Sequence, residues 1–278
     1  MMSSITRISG HMAPFKGKTI LITGASDGIG RALALELAPD GPNLALAARS
    51  QEGLAKIAAE CRALGAVAFA VATDVADAGA CRAFVERSRE QFGDIDILVN
   101  NAGMTMWTRF DEVTEFSAFR HIMEVNYFGT VYTTSAALPH LKRSRGLIVG
   151  VSSVAGLTGV PERTAYSASK HAMIGFLESL RIELLGTGVD VTIVAPDFVE
   201  SQIHRRAIRA DGKPIGKAPR NENRVMTAEA CAKLIRRGME KRQRLVFTSL
   251  RGKAARMMKL LIPGVVDAIA AKAIRQRY

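Results

Sequence analysis

Cysteine is scarce and odd in number: Cys61, Cys81 and Cys231 are scattered over 278 residues. That suits neither a disulfide-stapled secreted scaffold nor a zinc knuckle, and a reducing cytoplasmic compartment is expected. No uninterrupted apolar run reaches the ~18 residues of a membrane-spanning helix. The N-terminal stretch MMSSITRISGHM lacks the apolar centre of a signal peptide, and residues 1–14 read as an N-terminal extension or an expression remnant. The five histidines, His11, His121, His140, His171 and His204, show no metal-ligand spacing, so no metal is expected. Repeats, low-complexity tracts and long linkers are missing as well. With 48% apolar and 23% charged residues the chain is globular, and one large domain fits a length near the usual ~100–200 residues per domain. Residues 15–250 are expected to form it, with 251–278 as a C-terminal extension.

Acidic side chains run short in one place. The first 200 residues carry 18 basic and 21 acidic groups, whereas the last 78 carry 20 basic and 5 acidic. The last 78 residues contain only Phe247 and Tyr278 as aromatics, which argues against a nucleic-acid partner that would need stacking rings or a recognition helix beside the charge. The apolar run 257–274 is broken by Pro263-Gly264 and punctuated by Lys259 and Lys272. Two short amphipathic segments are expected there. They suit first a solvated basic face whose apolar side packs on the domain, and second a peripheral contact with an anionic membrane.

Short apolar runs alternate with longer helical patterns. The runs are Thr19–Thr23, Leu44–Ala48, Val67–Ala72, Ile95–Val99, Leu147–Val151, Val189–Ala195 and Leu245–Phe247. Between them, Gly30–Ala38, Glu52–Leu64, Ala78–Phe92, Phe116–Leu141, Ala165–Leu185 and Thr227–Arg237 show apolar residues at helical spacing. Strands apolar on both faces, separated by helices, predict an α/β fold: a doubly wound parallel sheet covered on both sides. Residues 200–226 interrupt the rhythm with a polar stretch long enough to cover a site.

The first strand leads into Thr23-Gly24-Ala25-Ser26-Asp27-Gly28-Ile29-Gly30. Glycines at these spacings allow a tight turn, close approach of a pyrophosphate and close helix packing, and the helix N-terminus then attracts the anion. After strand two the chain reads Ala48-Arg49-Ser50, with no carboxylate to accept a ribose 2′-hydroxyl. The planar guanidinium of Arg49 and the hydroxyl of Ser50 suit a 2′-phosphate, so NADP is expected over NAD. Asp27, an anion near the phosphates, weighs the other way.

Tyr166 and Lys170 lie four apart at the start of a predicted helix and so share a face. A nearby ammonium lowers a phenol from its usual pKa of about 10. Tyr166 could then exchange a proton with an alcohol or carbonyl oxygen, which Ser153, just past a strand, could hold.

In these motifs, taken with Asp74-Val75, NNAG (100–103), Asn126 in VNYFGT and VSS (151–153), residues 15–250 resemble the short-chain dehydrogenase/reductase family. The run ARS (48–50), ALP (137–139) and YSASKHA looks most like its hydroxysteroid-dehydrogenase-like branch. The resemblance implies a Rossmann-like sheet of seven strands. It implies Tyr166 as general acid/base, Lys170 on the nicotinamide ribose, Ser153 on the substrate oxygen and Asn126 positioning a relay water. Gly24, Ser26, Asp27, Gly28, Ile29, Gly30, Arg49 and Ser50 would meet the nucleotide phosphates. Asp74 and Val75 would flank adenine, Asn101, Ala102 and Gly103 would line the ribose, and Pro196 and Val199 would lie near the carboxamide. Asp197 stands where the family usually has glycine, and its backbone conformation is therefore in question. The resemblance also implies a homodimer or homotetramer built on the helices over 116–141 and 165–185.

Met104, Met106, Trp107, Leu157, Val160 and Phe198 are expected around the nicotinamide, as an apolar pocket for a small carbonyl or alcohol substrate. The expected function is NADP-dependent carbonyl reduction or alcohol oxidation. A catalytically silent nucleotide sensor or membrane scaffold on the same fold is the alternative from another class.

Overall fold

The computed structural model describes residues 13–216 and 225–275. Seven strands form one parallel sheet in the order β3-β2-β1-β4-β5-β6-β7. They are β1 (Thr19–Thr23), β2 (Asn43–Ala48), β3 (Val67–Ala72), β4 (Ile97–Asn100), β5 (Leu147–Val151), β6 (Asp190–Ala195) and β7 (Leu245–Phe247). The helices are α1 (Gly28–Leu37), α2 (Gln51–Ala63), α3 (Ala78–Phe92), α4 (Ser117–Met123), α5 (Gly129–Ser144), α6 (Thr164–Glu183), α7 (Ala228–Glu240), α8 (Leu250–Leu261) and α9 (Pro263–Arg275).

The sheet is covered on both faces because its strands are predominantly apolar, with polar residues mostly at their ends. In β1, Ile20 and Ile22 join one core with Leu33, Leu37, Ile235 and Met239 of α1 and α7. Leu21, pointing the other way, joins Phe84 of α3, Leu141 of α5 and Leu177 of α6. That alternation is the two-residue period of a strand carried into two hydrophobic layers. The strand order reverses at β1, whose neighbours are β2 and β4. In open sheets of this kind, ligands bind beyond the carboxyl ends of the strands at such a reversal.

The single helix expected over 116–141 is divided. A π-turn at Glu124–Phe128 separates α4 from α5, and α5 runs on to Ser144. The extra residue in that turn carries Asn126 into the interior. Its amide there accepts from Met104 N (2.8 Å) and donates to Met104 O (3.0 Å) and Ser169 Oγ (2.8 Å). Three tertiary hydrogen bonds hold a local geometry that side-chain periodicity does not signal. At the C-terminus, α8 ends just before Pro263 and α9 begins on it, as the Pro-Gly break predicts. No helix among the described residues is long and apolar enough to cross a membrane.

Candidate active site

A cavity of ≈ 520 Å³ opens at the carboxyl ends of β1, β4, β5 and β6. Its floor is the turn after β1. Gly24 has φ +65°, and a Cβ there would lie 2.8 Å from Ala102 Cα; one on Gly30 would fall onto Gly24 O. Asn101 fastens this approach of β1 and β4, donating from Nδ2 to Thr23 O (3.0 Å) and Gly24 O (3.1 Å). Asp27 caps α1, its Oδ1 accepting from Gly28 N at 2.7 Å. The result is a side-chain-free cradle at a helix N-terminus, which is the shape and polarity a pyrophosphate requires. The expected nucleotide contacts Gly24, Ser26, Asp27, Gly28 and Ile29 all line the cavity, while Gly30 lies behind it.

Farther along the wall stand Arg49, Ser50, Asp74, Val75, Asn101, Ala102 and Gly103. Ser50 also caps α2 by accepting from Gly53 N (3.2 Å). Asp74 is bound in its own turn, accepting from Ala76 N (3.0 Å). Arg49 is exposed at the rim, and no carboxylate shares the end of β2 with it. The residues present therefore fit a dinucleotide with an anionic group at the far end.

Ser153, Tyr166 and Lys170 meet on the opposite wall. β5 delivers Ser153, and α6 carries Tyr166 and Lys170 one turn apart on its buried face. The Ser153 hydroxyl lies beside the Tyr166 phenol, donating to Pro196 O (3.4 Å) and accepting from Ala155 N (3.1 Å). Lys170 Nζ donates to Val151 O (2.9 Å) and lies 6.0 Å from the centre of the Tyr166 ring. Asn126 stands behind them, off the cavity surface, joined to Ser169 and to the loop after β4.

The electrostatics differ from expectation. Burial pushes the Tyr166 phenol up, and the neighbouring Ser153 hydroxyl and the charge of Arg163 only partly offset it. Burial also pushes the Lys170 ammonium down, to about 8. The ammonium is directed at a backbone carbonyl, so the expected lowering of the phenol by Lys170 is not the dominant effect here. Tyr166 holds its proton at neutral pH.

Of the expected apolar pocket, Met104, Val160 and Phe198 line the cavity, with Pro196 and Val199 beside them. Leu157 does not: it follows a short 3-10 turn and packs into the core on the α6 side. Met106 is buried against Tyr166 and Ile208. Trp107 stands outside the lining and backs it, its ring 6.5 Å from that of Phe198 and its Nε1 donating to Glu162 Oε2 at 2.9 Å.

Three arrangements went unforeseen. The guanidinium of Arg163 lines the cavity, 4.1 Å from the Trp107 ring and 5.7 Å from that of Tyr166. An arginine at a helix start reads as solvent-facing, so the sequence carried no signal for it. Ser201, Ile203, His204 and Arg206 also line the cavity, and Arg206 Nη1 lies 3.6 Å from Asp27 Oδ2. Of the stretch expected over 200–226 to cover a site, these four residues border the cavity; its part from 217 to 224 lies outside the described residues. Lastly, Asp197 needs no left-handed backbone, since the non-glycine residues with positive φ among those described are Arg145, Glu162 and Arg242. Its carboxylate accepts from Arg251 Nε (2.8 Å), Arg251 Nη2 (2.8 Å) and Ser249 Oγ (3.0 Å), tying the cavity wall to the start of α8. Among the described residues no group of three or more His, Cys, Asp and Glu is placed to hold a metal.

Known proteins share this organisation. The short chain dehydrogenase family profile matches residues 18–211. The 11-beta-hydroxysteroid dehydrogenase 1A of Arabidopsis thaliana is 38% identical over 258 residues, covering 90% of this chain and 74% of the relative. The 11-beta-hydroxysteroid dehydrogenase of Pinus massoniana is 36% identical, over 91% of this chain and 72% of its own. A short chain dehydrogenase/reductase from Burkholderia phymatum, solved in complex with NAD, superposes with a TM-score of 0.79 at 26% identity, covering 88% of this chain and 94% of that one. An alcohol dehydrogenase from the archaeon Thermococcus sibiricus, complexed with 5-hydroxy-NADP, gives 0.68 at 32% identity over 79% and 88%. The chain belongs to the short-chain dehydrogenase/reductase family of oxidoreductases, in its hydroxysteroid-dehydrogenase-like branch.

Proposed function

We propose that the chain is an NADP-dependent oxidoreductase acting on the carbonyl or secondary alcohol of an apolar, lipid-, steroid- or ketoacyl-like substrate. The observation that carries this reading is that Ser153, Tyr166 and Lys170 line the same cavity as the glycine turn. The cofactor, when bound, supplies or accepts the hydride. The chain's own residues do the rest. Gly24 to Gly30 receive the pyrophosphate, Arg49 and Ser50 the 2′-phosphate, and Asp74 and Val75 the adenine. Asn101, Ala102 and Gly103 line the ribose, and Pro196 and Val199 the carboxamide. Ser153 holds the substrate oxygen, and Tyr166, protonated at neutral pH, gives its proton to that oxygen as negative charge develops there. Lys170 holds the ribose beside it and Asn126 keeps the proton path to Lys170 in place. Met104, Val160 and Phe198 receive the apolar body of the substrate, with Trp107 supporting Phe198.

The names of the plant relatives favour a steroid-like substrate within this class. A cytoplasmic homodimer or homotetramer built on α5 and α6 belongs to the same reading, with residues 15–250 as the catalytic domain and 251–278 as a peripheral extension.

The test is Tyr166→Phe assayed with NADPH over a panel of ketones. Turnover is expected to fall about 10²–10⁴-fold, the range of general acid catalysis, with NADPH affinity retained. Undiminished turnover rejects the chemistry. Nucleotide binding by the wild type with no turnover on any ketone would transfer the reading to a silent sensor.

A further inference from the structure

Arg163 is only 5% exposed, yet it lines the cavity. Its Cζ lies 4.1 Å from the centre of the Trp107 ring, 5.2 Å from that of Phe198 and 5.7 Å from that of Tyr166. The backbone in front of it is built to aim it there. Glu162 has φ +64°, a left-handed conformation that a residue with a Cβ adopts at a cost, and such strain gathers at functional sites. Two bonds from the segment after β4 hold it. Thr108 N donates to Glu162 O (2.9 Å), and Trp107 Nε1 donates to Glu162 Oε2 (2.9 Å). The chain turns at Glu162, and Arg163, at the N-cap of α6, comes to lie over the same indole that Glu162 grips.

A guanidinium keeps its charge at any pH the protein meets. Aromatic faces attract that charge but carry no net charge of their own, so the rings steady it without neutralising it. The lining carboxylate of Asp197 is clasped by Arg251, and Glu162, turned to the indole, is not part of the lining. A wholly apolar ligand pressed against Arg163 would only displace water from the charge. A ligand with an oxyanion at that point replaces the water with a charge-assisted bond in a site of low dielectric. A carboxylate matches the planar fork with two parallel bonds. Service to the Tyr166 phenol accounts less well for the arginine, because burial holds the phenol above its ordinary value even with that cation beside it.

We propose that Arg163 is a specificity-determining residue, and that the substrate is an apolar ketone or secondary alcohol that also carries a carboxylate, seated on the Arg163 guanidinium. The proposal rests on the oxidoreductase reading of the same cavity and narrows its substrate class. The reacting oxygen meets Ser153 and Tyr166, the carboxylate meets Arg163, and the apolar body lies against Met104, Val160 and Phe198. Attachment at two points restricts the poses of a body whose apolar contacts have no direction of their own.

Trp107 is the only tryptophan of the chain, so its emission reports on ligand at Arg163. The full chain with NADP⁺ is titrated with a series of oxo fatty acids, varied in the spacing of ketone and carboxylate, and with their methyl esters. For the tightest pair the acid is expected to bind about 10–100-fold better than its ester, the range of one charge-assisted hydrogen bond or a bidentate pair, and to change the Trp107 emission. Arg163→Leu is expected to bring that ratio to about one, and Arg163→Lys, which keeps the charge and loses the fork, to leave it in between. A ratio cancels any general loss caused by the substitution, and Tm and NADP⁺ affinity verify folding. Should the leucine loosen the fold, Arg163→Lys carries the comparison, and its ratio must fall below that of the wild type. With NADPH, kcat/KM for acid and ester is expected to show the same preference. Equal binding of acid and ester by the wild type, or a ratio that Arg163→Leu leaves unmoved, overturns the proposal. So does a variant that shifts the pH profile of turnover alike for acid and ester, which would make Arg163 a partner of the Tyr166 phenol. Arg163-dependent binding of the acids with no turnover of any of them upholds the carboxylate site and removes the oxidoreductase reading instead.

Discussion

Lys170 is 3% exposed, and burial holds its ammonium at about 8 against an ordinary 10.5. The unfolded chain therefore binds the proton more tightly, and between about pH 8 and pH 10.5 stability rises with pH. Below pH 8 both states are charged and the full cost of burying the ammonium, about 3 kcal/mol, is present. Lys170→Met removes the charge while keeping much of the volume. Part of the gain is lost with the hydrogen bond to Val151 O. At pH 7 the variant is expected to melt a few degrees above the wild type, since about 1 kcal/mol moves Tm by ~2–4 °C at this size. The difference should narrow toward pH 10, while turnover falls by about 10²-fold or more for want of the lysine. Thermal melts of both proteins from pH 7 to pH 10 provide the check. A gap that does not narrow would show that the ammonium is not the source of the strain.

The Asp197–Arg251–Ser249 cluster joins two elements, the loop after β6 and the cap of α8. Asp197 is largely buried, Arg251 is exposed, and the fork of the guanidinium takes both carboxylate oxygens. Asp197→Asn keeps the size and loses the charge-assisted bonds, each roughly twice as strong as a neutral one. It is expected to cost about 1–2 kcal/mol and to free α8 to protease at Arg251 and Lys253, with KM for an apolar ketone raised more than kcat is lowered. Limited proteolysis and steady-state kinetics measure the two effects; unchanged cleavage with unchanged KM would remove the link between α8 and the site. At this scale the sequence was informative where chemistry is local. The seven strands are short and predominantly apolar, so their positions were readable to within one or two residues. The glycine turn and the Ser153, Tyr166 and Lys170 set were readable because the types and spacing are themselves the requirement. What could not be read depends on long-range partners. The π-turn at Asn126 exists through bonds to Met104 and Ser169, and the non-glycine backbone at Asp197 through α8. Leu157 was misplaced because an apolar residue in a loop near the site looks the same whether it faces cavity or core.

Across the whole molecule, charge links regions far apart in sequence. Asp27 places an anion at the end of α1, where phosphates are expected to sit, and this would oppose nucleotide binding if it stood alone. Arg206, carried over the cavity by the segment after β6, lies 3.6 Å from it. That segment is anchored by Ile208, which donates to Thr105 O (3.0 Å) and accepts from Trp107 N (2.9 Å), so the guanidinium is delivered by structure rather than by chance approach. Both partners are partly exposed, and their mutual attraction is correspondingly weak, within about 1 kcal/mol. The larger consequence is for a bound polyanion, from which Arg206 screens the carboxylate. Arg206→Ala is therefore expected to raise the Kd for NADPH about tenfold, the effect of roughly one uncompensated charge at short range. Asp27→Asn retains the helix cap and should bind NADPH at least as well as the wild type. In the Asp27→Asn background, Arg206→Ala should lose most of its effect, because the anion it offsets is gone. The double-mutant cycle, measured by titration of NADPH, isolates this coupling. An equal loss from Arg206→Ala in both backgrounds would mean that the arginine acts on the nucleotide directly, and that Asp27 is only a cap.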